Sequence, residues 1–280
     1  MNKKIIFCDV DGTLMNHHGV MPESAKEAIK GARANGHLVF ICTGRSRAEL
    51  CGEANELEVD GRICSAGGHV EIQDKLIKQE FIAVETIKHI VDFFNAHQIH
   101  FGLEAPDKTY VSEGMIEFFK EKTKRDIARH PENKESIQKQ ADGLIEHMIS
   151  GESLIREDIC KVIYFNSKLS LEELQAEFQD EIIILPNSID HRDGGSGEMM
   201  MIDVHKATGI QHALAHLGMD QKDTLGYGDS LNDMEMIQFV NVGVAMGNAC
   251  EALKSVADEI TETVDNEGIY KSFKAQGLLD

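Results

Sequence analysis

The sequence predicts an α/β protein: a doubly wound parallel sheet carrying an inserted α/β domain. Three observations support this. Short apolar strand-like runs alternate with amphipathic helical stretches, and the runs end in breaks rich in Asp, Thr and Gly. That rhythm is also interrupted in mid-chain and then resumes. With 280 residues, 42% of them hydrophobic, the chain is long enough for one large domain or for a core with a smaller companion, and too apolar for wholesale disorder.

Lys4–Cys8 reads as a buried central strand, broken by Asp9–Thr13 with its Gly12. A helix starts at Pro22, which suits a first turn, and Glu23 complements the positive end of its dipole. Ala25, Ala28, Ile29 and Ala32 form its apolar stripe, and Asn35-Gly36 stops it. Leu38–Cys42 is a second strand ending at Thr43-Gly44-Arg45, and Ser46 is placed to cap a helix carrying Leu50 and Leu57. Gly61–Cys64 is a third strand, followed by Ser65-Ala66-Gly67-Gly68.

Beyond Ile82 the pattern changes. Ile87, Ile90, Val91 and Phe94 fall at helical spacing, and a charged helical region from Ser112 to about Arg129 ends at His130-Pro131. Ile159–Phe165 and Glu181–Leu185 read as strands around a short helix over Ser170–Gln179. The parallel rhythm is expected to return with a strand near Met199–Ile202 and a helix over His205–Leu217 closed by Gly218. A strand at Thr224–Tyr227, a helix beginning within Ser230–Ile237 and a strand at Val240–Ala245 follow. The expected organisation is residues 1–82 and 188–280 as the core and 83–187 as the inserted domain.

The net charge of −20, without a lysine or arginine run, excludes nucleic acid as a partner and requires any anionic substrate to meet a locally cationic site. The apolar run behind Lys3-Lys4 stops at Asp9, so no export signal is expected. No stretch approaches the ~18 consecutive apolar residues of a membrane span, and the expected location is the cytoplasm. Cys8, Cys42, Cys51, Cys64, Cys160 and Cys250 form no CxxC pair and read as reduced thiols. The pairs His97/His100 and His212/His216 read as solvated or partly buried side chains, and Met199-Met200-Met201 as strand core. Asp193–Gly197 lacks the lysine and following helix of a nucleotide-binding loop and reads as a mobile turn where insert and core join.

In an open parallel sheet, ligands bind beyond the carboxyl ends of the strands. Three polar motifs are expected there: Asp9-Val10-Asp11-Gly12-Thr13, Thr43-Gly44-Arg45, and Gly228-Asp229-Ser230-Leu231-Asn232-Asp233. Lys206 lies near the start of the preceding helix. Aspartates crowded together repel unless a cation or donors offset them, and Mg²⁺ suits such an oxygen set.

Those motifs resemble the haloacid dehalogenase superfamily of phosphatases over essentially the whole chain, in particular the Cof-type, class IIB sugar-phosphatase-like branch. Asp9–Leu14 matches its DxDGTL motif, Thr43-Gly44-Arg45 the second, Lys206 the third and Gly228–Asp233 the GDxxND fourth, with Ala245-Met246-Gly247-Asn248-Ala249 behind it. The resemblance implies a Rossmann-like core with a cap inserted between the second and third motifs. Asp9 would be the nucleophile and Asp11 the general acid and base. Thr43, Gly44, Lys206 and Asn232 would bind the phosphoryl group. Asp9, Asp11 through its backbone carbonyl, Asp229 and Asp233 would surround Mg²⁺. The implied reaction is hydrolysis of a small phosphorylated metabolite through an aspartyl-phosphate, with the cap closing over the substrate. A phosphosugar mutase and a non-catalytic phosphometabolite-binding regulator are the alternatives. Arg45 is read equally as a surface or a substrate residue. His191, Arg192 and the Asp193–Gly197 turn are specificity candidates. Oligomeric state is left open. Ser65-Ala66-Gly67-Gly68 departs from the family's usual Asn-Gly, leaving either room for a bulkier leaving group or a flexible turn.

Overall fold

A computed structural model describes residues 3–16, 19–186 and 195–279. In chain order its strands are β1 (Ile5–Cys8), β2 (Leu38–Cys42), β3 (Gly61–Cys64), β4 (His69–Ile72), β5 (Lys75–Gln79), β6 (His100–Glu104), β7 (Thr109–Val111), β8 (Met148–Ile149), β9 (Lys161–Phe165), β10 (Ile182–Pro186), β11 (Gly197–Met201), β12 (Thr224–Gly228), β13 (Val242–Ala245) and β14 (Glu259–Ile260). The helices are α1 (Glu23–Ala34), α2 (Gly52–Glu56), α3 (Val84–Ala96), α4 (Met115–Arg129), α5 (Lys134–Glu146), α6 (Leu171–Phe178), α7 (Lys206–Leu217), α8 (Met234–Phe239), α9 (Glu251–Lys254) and α10 (Gly268–Ala275). They form two compact units: Met1–Arg45 with Leu50–Gln79 and Val204–Asp280, and Ser46–Glu49 with Glu80–Asp203.

The first unit is built on an eight-stranded sheet in the order β14-β13-β12-β1-β2-β3-β4-β5. From β14 to β3 every pair is parallel; β4 and β5 add an antiparallel edge. The doubly wound fold class expected from the sequence is therefore present. Alternation along β1 shows why these runs are apolar throughout. Ile6 and Cys8 face a core filled by Ala25, Ala28, Ile29 and Ala32 of α1 and Ile269 and Phe273 of α10. Ile5 and Phe7 face a second core with Ile210, Ala213 and Leu214 of α7 and Met236 and Ile237 of α8. Two expectations differ in detail. The helix after β2 shrinks to α2, capped at Cys51, because Ser46 and Glu49 exchange backbone-to-side-chain hydrogen bonds in a separate turn. The β4–β5 hairpin had no turn signal: Gln73 and Asp74 take φ +49° and +58° where Asn-Gly is the usual marker.

The second unit carries a six-stranded sheet in the order β10-β11-β9-β6-β7-β8, antiparallel except for β7 with β8. Its main core joins Ile87, Ile90 and Phe94 of α3 with Phe101, Leu103, Val162 and Tyr164 of the sheet and Leu174 and Phe178 of α6. Ser170 and Glu173 form a reciprocal capping box at the start of α6. The methionine strand belongs here: β11 pairs with β10 and β9, although residues 188–280 were all expected in the core domain. An apolar run of this length carries no mark of the sheet it will join. Met199 is fully buried, as expected of strand core.

Candidate active site

The register of the first sheet brings the polar motifs to one edge. Cys8 lies opposite Ile41 on one side and Tyr227 on the other, so Asp9, Thr43 and Asp229 follow strand ends that are level. Asp9 donates its backbone N–H to the Tyr227 carbonyl at 3.0 Å and is buried.

At this edge Lys206 enters from the first turn of α7, fully buried. Its Nζ donates to Asp9 Oδ1 at 2.6 Å and to Asp233 Oδ1 at 2.5 Å. Burial alone would lower the ammonium's pKa; Asp233 and Asp9 overcome it and hold the group above its ordinary value. The other oxygen of Asp233 accepts from the backbone N–H groups of Asp229 at 2.9 Å and Ser230 at 3.1 Å. Asp233 therefore ties the Lys206 ammonium to the loop after β12, rather than hanging free in a cluster of acids. The carboxyls of Asp9 and Asp229 are both pushed up, chiefly by burial. Asp233 and Asp11 add repulsion at Asp9, with Lys206 opposing; at Asp229 the added repulsion comes from Asp9 and Asp233.

Asp11 points elsewhere. Arg45 grips it in a fork, Nε to Oδ2 at 2.8 Å and Nη2 to Oδ1 at 2.6 Å. Arg45 is thus neither a bare surface residue nor merely a second cation. It orients the Asp11 carboxylate, a role that no local sequence signal marks. Between Asp9 and Thr13 the backbone turns at Gly12 with φ +82°, where a Cβ would overlap the Asp229 carboxylate. Asn248 donates to the Gly12 carbonyl at 2.8 Å and accepts from the Val264 N–H at 3.2 Å, bracing this turn from behind. Thr43 is buried with its Oγ1 accepting the Arg45 N–H at 3.1 Å, and Gly44 beside it is half-buried. Asn232 is half-buried, its Oδ1 accepting from Ser230 Oγ at 2.8 Å; the hydrogen bonds gather it with its own loop. Thr13, not singled out from the sequence beyond its motif, has a buried Oγ1 without a hydrogen-bond partner.

The Ser65–Gly68 turn is neither roomy nor loose. Gly67, at φ +113°, sits so close to the His205 carbonyl that a Cβ would overlap it, and Gly209 of α7 packs onto Gly67 in turn. These glycines buy close packing of the helix that delivers Lys206, which corrects the expectation of space for a leaving group. His191, Arg192 and Asp193 lie outside the described residues. Gly195, on the same turn, accepts the Ser167 N–H through its carbonyl.

Asp9, Asp229 and Asp233 each offer an oxygen, all within 4.8 Å of one another, and among the described residues this is the only such group of three or more metal-ligating side chains. Asp229 Oδ1 is buried and has no hydrogen-bond partner. A hard divalent cation fits both the all-oxygen donor set and the orphaned acceptor. Asp11 is outside the group because its carboxylate is committed to Arg45. Among the described residues the histidine pairs contribute no such group, and the cysteines are reduced thiols, of which Cys51 and Cys250 are exposed and the other four buried.

The model of the haloacid dehalogenase-like hydrolases matches residues 6–273. The chain belongs to this family. YkrA of Bacillus subtilis is 29% identical over the full length of both chains, and the 5-amino-6-(5-phospho-D-ribitylamino)uracil phosphatase YcsE of the same organism is 27% identical, covering 97% of this chain and 94% of that one. Among solved structures, a protein of Geobacillus kaustophilus superposes with a TM-score of 0.81 at 27% identity, covering 99% of this chain and all of the other. A subclass IIB sugar phosphatase superposes at 0.76 and 24% identity, covering 99% of this chain and all of the other, and so shares the fold. Family and relatives make this haloacid dehalogenase-like hydrolase an enzyme of the phosphoric monoester class. No helix among its described residues is long and apolar enough to cross a membrane.

Proposed function

We propose that the chain is a cytoplasmic, Mg²⁺-dependent phosphatase that hydrolyses a small phosphorylated metabolite through an aspartyl-phosphate on Asp9. The observation that carries this reading is the division of labour between two aspartates on one short loop. Lys206 holds Asp9 by Oδ1, and Arg45 holds Asp11 by both oxygens. Asp9 attacks phosphorus in line as the P–O bond to the leaving group breaks. Asp11 acts as the general acid that protonates the departing oxygen. It then takes a proton from the water that attacks the acyl phosphate, releasing inorganic phosphate and restoring Asp9. Lys206, the loop amides around Gly12, Thr43, Gly44 and Asn232 offset the phosphoryl charge. Asp9, Asp229, Asp233 and the Asp11 carbonyl would hold Mg²⁺, which supplies Lewis-acid polarisation of the phosphoryl oxygens. The inserted domain, expected over 83–187, selects which phosphorylated compound is accepted.

Purified protein with Mg²⁺ is expected to release phosphate from an aryl phosphate, and D9N to release none. Full activity in D9N overturns the mechanism. Conversion of a sugar phosphate to an isomer without free phosphate overturns the reading in favour of a mutase.

A further inference from the structure

The four residues after Arg45 carry a motif that no helix uses. Ser46-Arg47-Ala48-Glu49 has the Ser-x-x-Glu spacing of a capping box, the reciprocal pair that normally opens a helix. Both bonds of the box are made. The Ser46 N–H donates to Glu49 Oε2 at 3.2 Å, and the Glu49 N–H donates to Ser46 Oγ at 3.3 Å. Ser46 is fully buried. Yet the next helix, α2, starts only at Gly52 and has its own cap residue in Cys51. A local signal that forms without its ordinary consequence points to another use.

What the box holds is the peptide directly behind Arg45. The Arg45 N–H donates to Thr43 Oγ1 at 3.1 Å, and the Arg45 carbonyl accepts the Ser65 N–H at 2.7 Å. Thr43 and Ser65 follow the ends of β2 and β3, so these two bonds tie Arg45 to the sheet. The next N–H along the chain, that of Ser46, is the one that Glu49 accepts. Arg45 meets Asp11 through two hydrogen bonds, at 2.8 and 2.6 Å. A two-pronged contact of this kind tolerates little rotation of the guanidinium plane. A long side chain on a loosened backbone spreads over many rotamers, so the aim of Arg45 depends on how firmly its main chain is held. We propose that Glu49 is a positioning residue: by accepting the Ser46 N–H it aims Arg45 at Asp11, and so supports proton delivery to the leaving oxygen. The path from Glu49 to Arg45 is four residues of chain, and Glu49 acts only through Arg45. This rests on the phosphatase reading, in which Asp11 is the general acid.

The test separates proton delivery from folding by the choice of leaving group. Phenyl phosphate releases a phenolate whose conjugate acid has a pKa of about 10, so its departure needs a proton from the general acid. Dinitrophenyl phosphate releases a far weaker base that departs without one. With the full-length chain and Mg²⁺, E49A is expected to lower kcat/KM for phenyl phosphate by about fivefold or more, and for dinitrophenyl phosphate by less than about twofold. E49Q keeps an oxygen that accepts the Ser46 N–H and is expected to stay within about twofold of the parent on both compounds. In the R45A background, E49A is expected to add less than about twofold on phenyl phosphate, because the two residues act in series. S46A removes the other half of the box. It is expected to show the same selective loss, about threefold, and decides the matter if E49A does not fold. Equal losses on both compounds, no loss on phenyl phosphate, a loss in E49Q that matches E49A, or a full further loss in R45A overturns the proposal. A parent that releases phosphate from neither compound refutes the phosphatase reading and this proposal with it. A parent active on both leaves the E49A ratios to judge Glu49 alone.

Discussion

Two lysines in this protein are each buried between two carboxylates, and they are built differently. Lys206 in the first unit touches Asp9 and Asp233 at 2.6 and 2.5 Å, and the spare oxygen of Asp233 is used by two backbone amides. Lys161 in the second unit stands 3.3 and 3.7 Å from Glu104 and Glu198, and Glu104 has no hydrogen bond on either oxygen. Desolvation costs several kcal/mol per ion, and only close geometry with the remaining lone pairs satisfied recovers it. The first arrangement is nearly complete before any ligand arrives. The second is held by longer contacts.

The largest effect expected to separate them is the removal of each lysine. K206M leaves Asp9 and Asp233 buried without their cation, at a cost of roughly 3–5 kcal/mol of stability. It also lowers kcat/KM by roughly 10²–10³ through loss of charge at the phosphoryl group. K161M is expected to cost clearly less, because the looser contacts recover less and Glu104 can take up a proton instead. Urea unfolding of both variants checks the order. Equal losses would erase the distinction between a closed and an open cluster.

Next in size is the backbone that lets the first cluster close. Gly12 combines φ +82° with contact to Asp229. G12A is expected to destabilise by roughly 1–3 kcal/mol through strain and to weaken Mg²⁺ binding by displacing Asp229, read as a higher Mg²⁺ requirement in the phosphatase assay. The strain alone, with an unchanged Mg²⁺ requirement, would detach Asp229 from the proposed metal site. Smaller again is R45K. A lysine cannot reproduce the two-pronged grip on Asp11, so kcat is expected to fall roughly tenfold, about 1.4 kcal/mol in barrier. Thermal stability should change little, since the pair is partly exposed. An unchanged kcat would mean that Asp11 does not need Arg45 to hold it.

Much of this was legible from the chain, for a physical reason. A parallel strand buried on both faces must be apolar throughout, as Ile5–Cys8 and Leu38–Cys42 are, so the polar residues that interrupt such runs stand out. Asp9, Thr43 and Asp229 follow such interruptions, and their position at one sheet edge follows from topology alone. What escaped detection depends on contacts distant in sequence or on packing. Arg45 meets Asp11 across 34 positions, and Asn248 meets Gly12 across 236. Gly67 looked like slack in the chain and is instead where the backbone of α7 approaches. Met199–Met201 had the right pattern for a strand and nothing to say which sheet would recruit it.

An exposed cluster supplies the lower end of the scale. His89 on α3 places Nδ1 2.8 Å from Glu181 and Nε2 3.1 Å from Glu177, linking α3 to the α6 segment with the ring about a third exposed. Burial pulls its pKa down, but the hydrogen bonds that its ring N–H groups donate to Glu181 and Glu177 more than offset this, and the net shift is upward. A histidine whose pKa is raised on folding stabilises the protein fully below its unfolded pKa of about 6.5. That contribution fades as pH rises through the higher folded value. With a third of the ring exposed, solvent screening limits it to roughly 0.5 kcal/mol. The difference in unfolding free energy between the parent and H89Q is therefore expected to be largest below about pH 6.5, to fall as pH rises above it, and to shrink in high salt. A difference that persists unchanged at pH 8 would assign His89 to packing against Phe93 and Phe178 rather than to charge. The two buried lysines would then be the only ion pairs among those compared whose geometry, rather than mere proximity, sets their worth.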